Sequence, residues 1–261
     1  YRSESNPAAD TITWFLHHPT VDTLDLIFVQ NGDTLGQREL RIIPKKKQRN
    51  RRQKKAHSPL KDFIGWHANI KGVIKPNQQL TLIFNQPIAR FFTDSVLLIT
   101  GKDSLYKPDY AFADMLHRKI IFPFKIKEGT AYHLFIPDST VIDWNGLHNK
   151  KIDLSFRSKE AKEYGKLTLQ INFKHQQHYI LQLLNVNSDV ISQVFLKKDT
   201  SVVFSFIDPS KYRLKIIYDD NDNKKWDTGN YLRKLQPERV IFFSKELDIK
   251  ANWEYEESWN F

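Results

Sequence analysis

YRLKIIYDDNDNKKWDTGN, Tyr212–Asn230, sets a strand pattern directly against a polar loop. Tyr212, Leu214, Ile216 and Tyr218 alternate with Arg213, Lys215 and Ile217. That is the period-two signature of a strand with one face turned to a core. From Tyr218 onward, thirteen residues hold four aspartates and three asparagines. The same strand grammar runs on both sides. KLTLQINF (Lys166–Phe173) alternates strictly, and YILQLL, VISQVFL, SVVFSFI and RVIFFS fill the middle. ELDIKANW (Glu246–Trp253) sets Leu247, Ile249, Ala251 and Trp253 on the inward face. Seven such strands, with no helical period longer than about two turns, predict a small antiparallel sandwich over residues 161–261.

Upstream, the region 60–160 reads the same way. QLTLIFNQPI (Gln79–Ile88), SVLLIT (Ser95–Thr100), KIIFPF (Lys119–Phe124), AYHLFI (Ala131–Ile136) and KIDLSFR (Lys151–Arg157) are short strands. GKDS, KEGT and DWNG separate them as turns, which predicts a second β-sandwich. FADMLHRK (Phe112–Lys119) is the nearest approach to a helix and is too short to carry a fold.

Residues 1–44 hold three strand patterns: Ile12–Leu16, Thr23–Val29 and Leu35–Ile43. Three strands are a thin basis for an independent domain. This piece is expected to be the tail of an upstream domain or to pack on the next one. Residues 45–59 separate it from the rest. Their core, KKKQRNRRQKK, carries Lys45, Lys46, Lys47, Arg49, Arg51, Arg52, Lys54 and Lys55 without an acid. A block of like charge repels itself and buries nothing, so it reads as a solvated linker. Its eight charges account for all but two of the net +10. The same run is a candidate contact for lipopolysaccharide or anionic lipid. Nucleic acid is disfavoured, because no aromatic is interleaved for base stacking.

The composition supports this class. Apolar residues make up 40% and aromatics 13%, with only nine glycines and one methionine, which favours strands. Cysteine is absent, so disulfides, zinc–thiolate sites and cysteine nucleophiles are excluded. No apolar run approaches ~18 residues, the length of a membrane-spanning helix.

Numbered as a twelve-residue calcium loop, Asp219 is position 1, Asn221 is 3, Asn223 is 5, the Lys225 carbonyl is 7, Asp227 is 9 and Asn230 is 12. The oxygen spacing fits. Lys224 stands where a glycine makes the sharp turn, and Asn230 replaces the bidentate glutamate. A calcium site here would be weak, on the order of 10⁻⁴–10⁻³ M. The other reading is a polar loop closed by Asx turns, with Trp226 folded over the sandwich edge. No other cofactor is indicated.

Other signals are thinner. His17/His18 and His175/His178 lack a third ligand nearby in sequence, and residues three apart on a strand face opposite ways. Trp144 and Trp66 are candidates to face sugars, with capping of a strand end the alternative for Trp144. Trp253, Tyr255, Trp259 and Phe261 form an aromatic tail that folds back on the sandwich or docks a partner. No nucleophile elbow, P-loop or dinucleotide glycine pattern is present.

Two regions resemble a known family. LTLIFNQPI, YHLFIPDSTVIDWNG and LSFRSK resemble bacterial Ig-like domains of surface lipoproteins. The stretch Phe206–Trp259 resembles the ending of Ig-like-domain lipoproteins common in Bacteroidota, where it forms a transthyretin-like, carboxypeptidase-regulatory-like sandwich. The specific motifs are N-x-x-W-D-x-G (Asn223–Gly229) and QPE (Gln236–Glu238). The resemblance implies an all-β chain of tandem antiparallel sandwiches, Ig-like then transthyretin-like. It also implies export and association with the outer membrane, on the periplasmic face or the cell surface, through a lipid anchor upstream of Tyr1. The function expected is a non-enzymatic structural or interaction module working with other envelope proteins or outer-membrane components. A glycan-binding protein and a hydrolase without a visible motif are the alternatives.

Overall fold

The computed structural model describes residues 1–5, 11–17, 23–30, 32–41, 63–101, 104–175, 177–229 and 234–260. In chain order the strands are β1 (Arg2–Ser5), β2 (Ile12–Phe15), β3 (Thr23–Gln30), β4 (Asp33–Arg41), β5 (Trp66–Ala68), β6 (Val73–Ile74), β7 (Leu80–Phe84) and β8 (Ile88–Phe91). Then come β9 (Leu97–Thr100), β10 (Ser104–Tyr106), β11 (Ala111–Phe112), β12 (Lys119–Phe122), β13 (Ala131–Ile136), β14 (Val141–Asp143) and β15 (Ile152–Ser158). After one 3₁₀ turn, Ala161–Glu163, follow β16 (Gly165–Asn172), β17 (Tyr179–Leu184), β18 (Val190–Leu196) and β19 (Thr200–Ile207). The last are β20 (Ser210–Tyr218), β21 (Val240–Phe242), β22 (Leu247–Ile249) and β23 (Glu254–Asn260). The chain is all-β and forms two compact units. One is Tyr1–Lys71, Gln79–Phe124 and Tyr132–Ser155; the other is Gly72–Gln78, Lys125–Ala131 and Phe156–Phe261.

In the first unit, β11-β12-β7-β5 forms one antiparallel sheet and β10-β9-β13-β15 lines another. Alternation on β7 buries Leu80, Leu82 and Phe84 completely, and Ile120, Leu98, Leu134 and Ile136 are equally shielded. β8 pairs with β14, and this places DWNG at a strand end. The segment FADMLHRK is a turn: the Asp114 carboxylate accepts from the Arg118 and Lys119 amides, and His117 is left-handed at φ 57°.

The amino-terminal piece packs on this unit. β1 and β2 form a hairpin, Phe15 is buried, and the Arg118 guanidinium lies 4.6 Å from its ring while also bonding Glu4. β3 and β4 pair only with each other among the described residues. Their ribbon leaves Ile27, Val29 and Leu35 exposed and sets Asp25 directly opposite Glu39. The basic run lies outside the described residues.

In the second unit, β19-β16-β23 faces β18-β17-β20-β21, with β22 pairing the start of β20. One core joins Leu167, Leu169 and Ile171 from the first sheet to Leu181, Leu214 and Ile216 from the second. Tyr212, Leu214 and Ile216 point into it, as their alternation predicts. Two departures stand out. Ala251 and Trp253 are exposed rather than inward, because the chain turns at Asn252, left-handed at φ 59°. The residues beyond then form β23, parallel to β16, which carries Trp259 into the core. Gly165 makes this possible: a Cβ there would lie 2.3 Å from the Ile249 side chain and 2.8 Å from the Lys250 carbonyl.

Candidate functional site

The oxygen-rich loop leaves the end of β20 and folds into a closed hydrogen-bonded unit. Asp219 is buried, and its amide donates to the His178 carbonyl. Its two carboxylate oxygens accept from the amides of Asn223 and Lys224, each at 3.0 Å. Asn221 Oδ1 accepts from the Asn223 amide and Asn223 Oδ1 from the Lys225 amide. These are successive Asx turns, in which short polar side chains replace a sheet partner. Asn221 Nδ2 and Asn223 Nδ2 both donate to Asp227 Oδ2, at 2.5 and 2.9 Å. The structure therefore draws Asp219, Asn221, Asn223 and Asp227 into one loop; Asn230 lies outside the described residues. Lys224 takes φ 62°, the left-handed conformation that a glycine would fill without strain.

A fifth oxygen donor comes from Glu238 in QPE, a residue the loop spacing did not reveal. Glu238 is nine-tenths buried. Its Oε1 accepts from the Asp220 amide at 3.0 Å and its Oε2 from the Asp227 amide at 2.9 Å. Burial pushes its carboxyl above the usual value; the two amide bonds oppose that shift, and the charges of Asp227 and Asp219 add to it. The Glu238 amide donates to the Asp227 carbonyl and the Glu238 carbonyl accepts from Trp226 Nε1 at 3.1 Å. Gly229, at φ 78°, passes within 2.7 Å (measured from an added Cβ) of the Leu235 carbonyl and the Pro237 nitrogen. So N-x-x-W-D-x-G and QPE, separated by six residues in the sequence, are two halves of one structure. The signal available in the sequence was that a lone glutamate follows the loop in a proline-fixed context.

Trp226 closes the loop over the outer face of its sheet. Lys215 lies 5.8 Å from its ring and burial holds the Lys215 ammonium pKa down. Lys224 reaches over Phe195 at 5.7 Å. Beside the loop an open cavity of about 480 Å³ is lined by Asp220, Asn221, Asp227, Gly229 and Glu238. Carboxylate and amide oxygens are the donor types that suit a hard ion. Among the described residues no group of three His, Cys, Asp or Glu side chains converges as a metal site.

The other candidates separate. Trp259 is a core residue, packed 5.2 Å from Phe243, so its expected docking role gives way to packing. Trp253 is exposed at 58%, with Lys250 5.4 Å over its ring. Phe261 and Lys45, Lys46, Lys47, Arg49, Arg51, Arg52, Lys54 and Lys55 lie outside the described residues. Trp144 sits at the end of β14 with Arg2 and His17 against its ring, at 5.6 and 5.5 Å. His178 approaches Asp222 at 3.7 Å.

No family model matches the chain, and no curated protein matches it. Among solved structures, native alpha-2-macroglobulin from Escherichia coli, spanning domains MG0-NIE-MG1, is similar at 8% identity. That match covers 72% of this chain and 90% of the other, with a TM-score of 0.31, and a likeness at that level carries nothing about function.

Proposed function

We propose that this chain is a non-enzymatic structural or interaction module of a bacterial cell envelope, and that calcium stiffens its second unit at the Asp219–Asp227 loop. One observation carries the calcium reading: the side-chain oxygens of Asp219, Asn221 and Asn223 are pinned by main-chain amides two to five residues ahead. Those bonds fix alternate side chains of one loop, which lowers the ordering cost of taking an ion. Carboxylate and amide oxygens keep a second lone pair after such a bond. Asp219 and Asp227 would supply the charge, with Asn221, Asn223 and Glu238 as neutral and reserve donors. The ion would add a stiff cross-link between the strand end and the QPE segment.

The envelope setting rests on the lipoprotein-like motifs. An exported place also gives the loop access to calcium at the concentrations such a site needs. The test is thermal unfolding of the whole chain in EDTA and in millimolar calcium, with magnesium as the control ion. A rise with calcium that disappears in the Asp219→Ala, Asp227→Ala double variant supports the reading. An unchanged profile removes calcium from it.

A further inference from the structure

We infer that the outer edge of β18 is an association surface for a second copy of this chain, in antiparallel strand-to-strand contact. β18 is the terminal strand of its sheet: it pairs with β17 on one side and, among the described residues, with no strand on the other. β19, which follows it, is the terminal strand of the facing sheet. Between these two edges runs a groove of about 430 Å³ lined by Ile191, Val194 and Phe204 together with Lys75, Asn77 and Gln78. Val190, Ile191 and Phe195 are 50%, 45% and 47% exposed. An edge with open amides and carbonyls templates another strand unless lysines, proline or a bulge blunt it. Val190–Leu196 holds no charge and no proline. Its one irregularity is the register shift opposite Leu183 and Leu184, which falls at the Val190 end and leaves Ser192–Leu196 regular.

The charges flanking the strand select the occupant and its direction. Asp189 precedes β18, and Lys197 and Lys198 follow it. A copy related by a two-fold axis near Gln193 sets each acidic end against the other's basic end. A parallel copy sets like against like, which is unfavourable across a strand pair. The contacts these groups make at home are exposed ones: Asp189 with the Asn185 amide at 2.9 Å and Lys197 with Asp222 at 3.4 Å. They exchange for the intermolecular pair at little loss. This is an isologous contact, which closes at two copies.

Sedimentation equilibrium of the whole chain across the micromolar range to about millimolar tests it. The expected result is a concentration-dependent dimer. Asp189→Lys alone, and Lys197→Asp with Lys198→Asp alone, should each raise the dissociation constant by about tenfold. An equimolar mixture of the two charge variants should recover dimers, because both strand ends are then opposite in sign. Gln193→Cys gives an independent readout, since the chain has no native cysteine. Mild oxidation should cross-link it as a dimer, while Gln170→Cys on β16 should not cross-link. A wild-type chain that stays monomeric throughout, or a dimer indifferent to both charge reversals, overturns the inference.

Discussion

Glu238 meets two main-chain donors with two oxygens, and no other side chain of its length does that. Glu238→Gln keeps the shape but turns an NH₂ toward one of those amides. The cost expected is about 1 kcal/mol, read as a lower unfolding midpoint in urea. The pH dependence follows from burial, which raises the folded carboxyl above its ordinary 4.5. Stability from a raised carboxyl is full below the unfolded value and is lost as pH rises through the folded one. The margin of wild type over Glu238→Gln should therefore be larger near about pH 4 than near about pH 7. A margin that grows with pH would contradict this. Lys224 carries the opposite kind of strain. A left-handed non-glycine residue costs about 1 kcal/mol or more. Lys224→Gly should raise the melting temperature or leave it unchanged, and should tighten calcium binding; Gly229→Ala, where a Cβ meets backbone, should lower the melting temperature.

At the scale of elements, β23 decides the second unit. It runs parallel to β16 through seven paired residues and brings Trp259 into the core. Trp259→Ala should cost about 3–5 kcal/mol, the range for emptying a buried aromatic site. Gly165→Ala should cost about 1–3 kcal/mol through the contact with Ile249; a smaller residue at 249 should return part of it. Both are measured by chemical denaturation of the same unit. The antiparallel strands of this unit were legible because each alternates: Tyr212, Leu214 and Ile216 mark their own inward face. β23 was not, because EYEESWN has one fully buried large residue and reads as a polar tail. Ala251 and Trp253 face outward for a local reason. Alternation persists in the letters after Ile249, while Asn252 turns the chain. In the first unit, β5, β11 and β14 are two or three residues long, too short for a period to register. The loop was half legible: spacing marks Asp219, Asn221, Asn223 and Asp227, but Glu238 arrives through tertiary closure, which spacing within the loop does not encode.

For the whole molecule, the second of the two β units carries a loop whose two motifs meet in space, and we propose that this loop stiffens an envelope module. We propose separately that the basic run Lys45–Lys55 contacts anionic lipid. Replacing its eight Lys and Arg residues with Ser or Gln should abolish salt-sensitive binding to anionic vesicles, and unchanged sedimentation with those vesicles would sink the idea. The calcium loop is tested first by the melting temperature of the whole chain in EDTA against millimolar calcium. An ion that binds only the folded state adds about 1.4 kcal/mol when it is present at ~10 times its dissociation constant. In a unit of about 100 residues that is a rise of several degrees. That rise is expected with calcium, a smaller one with magnesium, and none in the Asp219→Ala, Asp227→Ala variant. Equal melting in EDTA and calcium, or a rise that survives the double substitution, contradicts it.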